Sequence, residues 1–315
     1  MFEPALFTRL RPASRVLVAG AGGGFDVYAG LPLALALHAA GKQVHLANLS
    51  FTDLDVLDMD DWLSPFVATV RPDTHGSPDY FPERTLARWL AGTDLTPVVH
   101  TFPRVGPRPL GEAYATLVDH LGLDAIVLVD GGTDILMRGD EDGLGTPEED
   151  MSSLAAVAGL PGELIRLVAC LGFGIDSYHG VCHAHVLENL AGLQRAGAYL
   201  GAFSVPPDSP EAQGYLDAVA HAERSTPLRP SIVNGQIAAS LRGEFGNVPI
   251  ARTGDSELFV NPLMSMYFTV DLPGLADNVG YLPELANLNT MFEVALTIER
   301  HHADAPQRPR RAIPH

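Results

Sequence analysis

Short apolar runs punctuate this chain, and between them apolar residues return with a helical period. The segments "RVLVAG" (15–20), "QVHLANLS" (43–50), "PVVHTF" (97–102), "DAIVLVD" (124–130), "IRLVACLG" (165–172) and "AYLGAFSV" (198–205) read as strands. They are continuous in Val, Leu and Ile, as strands covered on both faces are. "LPLALALHAAG" predicts a helix closed by Gly41. Further helices are predicted around 111–121, 181–196, 209–223, 230–243 and 283–300. Strands alternating with helices predict an α/β fold, a doubly wound, mostly parallel, Rossmann-like sheet with helices on both faces. Residues 1–300 are expected to form a single domain. Within it, 53–95 is broken by Pro65, Pro72, Pro78 and Pro82 and reads as an irregular insertion arching over the sheet edge. The segment 301–315, "HHADAPQRPRRAIPH", reads as a disordered tail.

Composition narrows the function classes. The 315 residues are 46% hydrophobic and 18% charged, enough to bury a large core. The net charge of −18 opposes contact with a phosphate backbone or an anionic membrane surface, so neither nucleic acid nor membrane is an expected partner. No run is long and apolar enough to span a bilayer, and "MFEPALFTRL" does not read as a secretory signal. Cys170 and Cys182 make no disulfide framework. A cytoplasmic location is the expectation, with a small molecule as ligand and room for a homo-oligomer.

In a sheet of this kind ligands bind beyond the carboxyl ends of the strands. Three chemistry-rich clusters fall there, at 20–26, 130–150 and 172–188. The first, "GAGGGFD", fits a dinucleotide fingerprint poorly. Phe25 stands where a third glycine belongs, and Asp26 in the first helical turn would repel a pyrophosphate. Gly22, Gly23 and Gly24 are candidates to offer backbone amides to a ligand, with Asp26 beside them. The bland alternative is a tight turn with Asp26 as a helix cap.

The second cluster, "DGGTDILMRGDEDGLGTPEED", is the most charged stretch of the chain. Thr146, Pro147, Glu148, Glu149 and Asp150 are explained as a helix start, with acids complementing the helix dipole. The remaining acids outnumber Arg138, the only cation in the stretch. A divalent ion such as Mg²⁺ or Mn²⁺ held by Asp130, Asp140 and Glu141 would balance them, and so would a cationic ligand. Asp134 is a candidate catalytic group, while Gly131, Gly132, Thr133 and Arg138 are candidate ligand contacts. The EF-hand spacing is absent.

The third cluster, "GFGIDSYHGVCHAHVLENL", carries His179, His183, His185 and Glu188. His179 or His183 is the candidate to move a proton, and His185 and Glu188 are candidate ligand contacts. His183 and His185 point nearly opposite ways on one helix, so the three histidines do not make a regular helical metal site. Later in the chain, Asn261-Pro262 ends a strand-like run, and Asn261 is a candidate hydrogen-bonding residue of the pocket. "PLMSMYF" reads as core or interface.

"GGGFDV", "GGTDILMRGDEDGLGTPEEDM", "SYHGVCHAHVLENLA" and "NPLMSMYF", in this order, resemble the family catalogued as domain of unknown function 1152. The resemblance spans most of 15–268 and implies the fold and the grouping of the motifs, but no activity. "DGGTD…GDEDGLG" is also loosely similar to the acidic glycine motif of the D-glutamate cyclase family, which implies metal-dependent lyase chemistry. The expected function is metal-assisted hydrolysis or elimination on a small polar metabolite of amine, hydroxyl or nucleoside type. Two alternatives stand beside it: a nicotinamide-dependent oxidoreductase using NAD(P) at the glycine-rich turn, and a non-catalytic small-molecule-binding protein.

Overall fold

A computed structural model describes residues 3–250, 252–254 and 256–313. Nine strands form one mixed sheet: β1 (Arg15–Gly20), β2 (Gln43–Leu49), β3 (Trp62–Ser64), β4 (Val67–Val70), β5 (Val99–Phe102), β6 (Ala125–Asp130), β7 (Ile165–Leu171), β8 (Tyr199–Ser204) and β9 (Met266–Asp271). Their order is β3-β4-β5-β2-β1-β6-β7-β9-β8. The five central strands, β5, β2, β1, β6 and β7, run parallel, and both flanks are antiparallel.

The apolar strands follow from burial on both faces. Alternate residues of β1 enter different cores: Leu17 and Ala19 pack with Ile126, Leu128, Val168 and Cys170, whereas Val16 and Val18 pack with Val127, Val129, Leu167 and Ala169. Helices Pro107–Leu121, Pro147–Ala158 and Met291–Asp304 contribute to the first core, and helices Leu31–Ala39, Pro210–Ser225 and Ile232–Leu241 to the second. With no solvated face, the strands have no polar alternation to display.

Three expectations change. The stretch 53–95 is no irregular arch: β3, β4 and helix Pro82–Leu90 extend the sheet, β4 pairing antiparallel with β5. "AYLGAFSV" is not a parallel strand, because β8 lies at the edge, antiparallel to β9, which itself comes from "MSMYF". The tail is not loose. Helix Met291–Asp304 begins at a Thr290/Glu293 capping box. Beyond it, Arg308 N donates to Asp140 O at 2.6 Å, His185 Nε2 lies 3.0 Å from Pro309 O, and Arg310 donates to Gly180 O at 3.0 Å. Residues 314–315 of that tail lie outside the described residues.

Chain order reverses between β1 and β6, since β2 lies to one side of β1 and β6 to the other. The two connections leaving β1 and β6 therefore diverge there and open a crevice at the carboxyl ends. No helix among the described residues is long and apolar enough to cross a membrane.

Candidate functional site

A cavity of about 530 Å³ occupies that crevice. Five aspartates line it: Asp26 after β1, Asp130 and Asp134 after β6, Asp150 from helix Pro147–Ala158, and Asp176 after β7. Four of them are more than nine-tenths buried: Asp130 (3% exposed), Asp134 (3%), Asp150 (3%) and Asp176 (7%). Among the described residues no lysine or arginine forms an ion pair with any of the five.

Two glycines make this crowding sterically feasible. A Cβ on Gly22 would lie 2.7 Å from Asp26 Oδ2 and 3.0 Å from Asp150 Oδ2, and one on Gly132 would lie 2.6 Å from Asp176 Oδ2. The glycine-rich segments thus admit carboxylates. The Gly22 amide is already committed, donating to Asp26 Oδ2 at 2.7 Å.

The aspartates are held individually. Asp134 Oδ2 accepts from Thr146 N at 2.9 Å and from Thr146 Oγ1 at 3.2 Å. Asp176 Oδ2 accepts from Thr133 N at 2.6 Å. Asp130 Oδ2 accepts from Ile135 N at 3.3 Å. Ser153 Oγ, one turn beyond Asp150, donates to Ala21 O at 2.8 Å and fastens that helix to the glycine-rich turn. The buried Asp150 Oδ1 has no hydrogen-bond partner among the described residues.

Burial raises all five acids, and repulsion between them adds to the rise for Asp26, Asp130, Asp150 and Asp176. Asp26 is pushed up to about 7, chiefly by burial, although the Gly22 and Gly131 amides oppose the rise. Burial, and then the other acids, carry Asp130 and Asp150 well above the ordinary carboxylate range. Burial raises Asp134 against the hydrogen bonds from Thr146, with His179 helping to hold it down. Asp176 is driven well up by burial and then by Asp134. A cation entering the cluster would reverse this effect by stabilising the ionised forms.

One carboxylate oxygen each from Asp26, Asp130 and Asp150 lies within 4.8 Å of the others. In an octahedral Mg²⁺ or Mn²⁺ shell, opposite oxygens stand about 4 Å apart. Adjacent oxygens of such a shell stand about 3 Å apart, so the three carboxylates lie near, and slightly wider than, the spacing a bound ion would set. Three hard oxygen donors, from residues that include the orphaned Asp150 carboxyl, fit a divalent ion.

The remaining sequence candidates divide. Gly22, Gly23, Gly24, Gly131 and His179 line the cavity, His179 at its exposed mouth. Gly132 and Thr133 lie just behind it, supporting Asp176. Asp140 and Glu141 lie outside the cavity, away from the proposed ligand group. The fully buried Glu141 accepts from the amides of Arg138 and Gly139, from Asn189 Nδ2 at 2.6 Å and from Arg308 Nη2 at 2.6 Å. Arg308 also binds Asp140 and Glu188, each at 2.8 Å, and Arg138 pairs with Asp140 at 3.5 Å, so Arg138 and Glu188 are ion-pair partners outside the cavity. His183 is not in the cavity either. Its half-buried ring packs 5.4 Å from that of Phe173, behind Gly174, and burial lowers its pKa. His185 is fully buried between Pro309 O and the Asp142 carboxylate. Asn261 caps the 3-10 turn Pro262–Ser265 through Leu263 N and does not line the cavity.

Asp150 and Glu149 are the residues that sequence reasoning discounted. Glu149 sits at the cavity and is paired with Arg104. Their helix offers a signal in retrospect: "MSSLAAVA" has no charged side chain, so the helix is buried nearly throughout and an acid in its first turn cannot lie on a solvated face. Asp176, bracketed by Gly174 and Gly180, falls in the sequence-marked segment 172–188, and the structure adds it to the aspartates of the cavity.

Residues 54–302 match the family model described as Protein of unknown function (DUF1152). The chain belongs to this family. No curated protein and no solved structure matches it. Family membership covers β3 through helix Met291–Asp304, and so includes Asp130, Asp134, Asp150 and Asp176, while Asp26 precedes the matched span.

Proposed function

We propose that this protein is a metal-dependent enzyme carrying out hydrolysis or elimination on a small polar metabolite in the aspartate-lined cavity. The observation that carries this reading is the convergence of one oxygen each from Asp26, Asp130 and Asp150, beside which Asp150 also carries a buried, unpartnered Oδ1. These three would hold Mg²⁺ or Mn²⁺, which supplies Lewis acidity and lowers the pKa of a bound water. His179, at the mouth and close enough to influence Asp134, would accept or deliver the proton. Asp134 and Asp176, each fixed by a threonine, would orient the substrate.

The nicotinamide alternative loses support because Asp26 takes the amide a pyrophosphate would need and the surrounding carboxylates repel phosphate. A doubly wound, Rossmann-like classification is supported by the five parallel strands and the reversal at β1 and β6. Buried free thiols at Cys170 and Cys182 support a cytoplasmic location. Homo-oligomerisation is part of the same proposal.

Titration of metal-free protein with Mn²⁺, followed by electron paramagnetic resonance, tests the reading. Stoichiometric binding that Asp150→Asn weakens is expected. If neither Mn²⁺ nor Mg²⁺ binds while NAD(P) raises Tm, the reading is wrong. Metal binding without turnover of any metabolite in a broad library would favour the non-catalytic binding protein.

A further inference from the structure

The cavity gathers more carboxyl groups than one divalent ion needs as ligands. Three of the five aspartates would hold such an ion, two are left over, and among the described residues no basic side chain pairs with any of the five. The acids outside the proposed metal triad are Asp134 and Asp176. Both are more than nine-tenths buried and both line the cavity. In each, Oδ2 is held by a threonine, and no other described residue donates a hydrogen bond to Oδ1. A carboxylate held on one oxygen and free on the other is an oriented acceptor, able to take a donor that also brings positive charge.

One aromatic ring at the entrance is open to a ligand of that charge. Phe51 (47% exposed) and Tyr178 (72% exposed) stand at the mouth together with Tyr80. Two of these rings already carry guanidinium groups, Arg104 lying 5.2 Å from the Phe51 centroid and Arg229 5.8 Å from that of Tyr80. Aromatic faces attract cations through the ring quadrupole, and among the described residues no guanidinium covers the Tyr178 ring, which stays open to a cationic ligand. Arg252 also lines the cavity, but its Nη1 is engaged with Pro230 O at 3.1 Å.

We infer that Asp134 and Asp176 form a subsite for a protonated nitrogen, so that the substrate is a small metabolite carrying an ammonium or guanidinium group. The inference rests on the metal reading above, because it assigns to the substrate the two acids the metal leaves free. A volume of about 530 Å³ suits a molecule of metabolite size.

Calorimetry on the Mn²⁺-loaded full chain tests it, with putrescine and agmatine as cationic probes, ribose as neutral probe and ribose 5-phosphate as anionic probe. The cationic probes are expected to bind at least about tenfold more tightly than the other two, a difference of about 1.4 kcal/mol. Asp176→Asn and Asp134→Asn are expected to weaken the cationic probes about tenfold or more while retaining Mn²⁺. Preference for ribose 5-phosphate, or no cationic probe bound at millimolar concentration to wild-type protein, overturns the subsite. The wild-type preference decides the matter even if either variant fails to fold. Failure of the metal reading looks different: Mn²⁺ does not bind, whatever the amines do.

Discussion

Arg308 donates through Nη2 to the fully buried Glu141 carboxylate at 2.6 Å, joining residues 167 positions apart. That contact supplies the positive charge missing from the acidic loop. The same guanidinium reaches Asp140, Glu188 and Asn189. Arg308→Ala would strand a buried carboxylate, although three donors besides Arg308 remain to it. A loss of about 2 kcal/mol is expected, below the full cost of an uncompensated buried charge. Urea denaturation measures it, and hydrogen exchange should show faster opening of 138–142. An unchanged midpoint would mean that the tail does not support the loop.

Metal affinity should depend on Asp150 despite its place in an ordinary helix start. Asp150→Asn removes one hard anionic donor, and Mn²⁺ affinity is expected to fall at least about tenfold, the scale on which even supporting residues of metal sites act. Asp119→Asn, on the exposed side of helix Pro107–Leu121, should leave the affinity unchanged.

Gly132 is needed for its missing side chain. In Gly132→Ala the new methyl would stand 2.6 Å from Asp176 Oδ2, displacing the carboxylate and its bond from Thr133 N. Overpacking of this kind costs about 1–3 kcal/mol. Chemical denaturation reads the loss, and a wild-type midpoint would show that the loop yields without cost.

Glu83 links stability to pH away from the aspartates. It is fully buried beneath the glycine-rich turn, accepts Asn48 Nδ2 at 2.8 Å, and is pushed by burial from 4.5 up to about 7. Its Oε2 and Asn48 Oδ1 are both buried without partners among the described residues. A raised carboxyl pKa favours the neutral form in the folded state. Stability is therefore complete below about 4.5 and is lost as pH rises through about 7, by about 3 kcal/mol in all. Glu83→Gln keeps a neutral hydrogen-bonding group there, so it should match wild type near pH 5 and exceed it at pH 8. Tm measured across that range checks the crossover; parallel curves would show that Glu83 titrates normally.

Much of the architecture was legible from local pattern. Doubly covered strands must be apolar throughout, so β1, β2, β6 and β7 announce themselves, and their carboxyl ends mark the crevice. β9 was hidden because the run at its start, "MSMYF", is rich in Met and aromatic residues and reads as core or interface rather than as a Val/Ile-rich strand. The short β3 and β4 were obscured by the prolines around them.

The sequence by itself determined which chemistry is available: carboxylates and histidines gathered at three strand ends, with Asp26, Asp130, Asp134 and His179 among them. Only the tertiary structure decided which acids face the cavity and which face one another's counterions. Asp150 and Asp176 were brought in from separate elements, while Glu141 was withdrawn by an arginine from the far end of the chain. Local spacing cannot report this. The electrostatic balance of a buried charge is set by neighbours in space, and neighbours in space are fixed by how the sheet and its helices close.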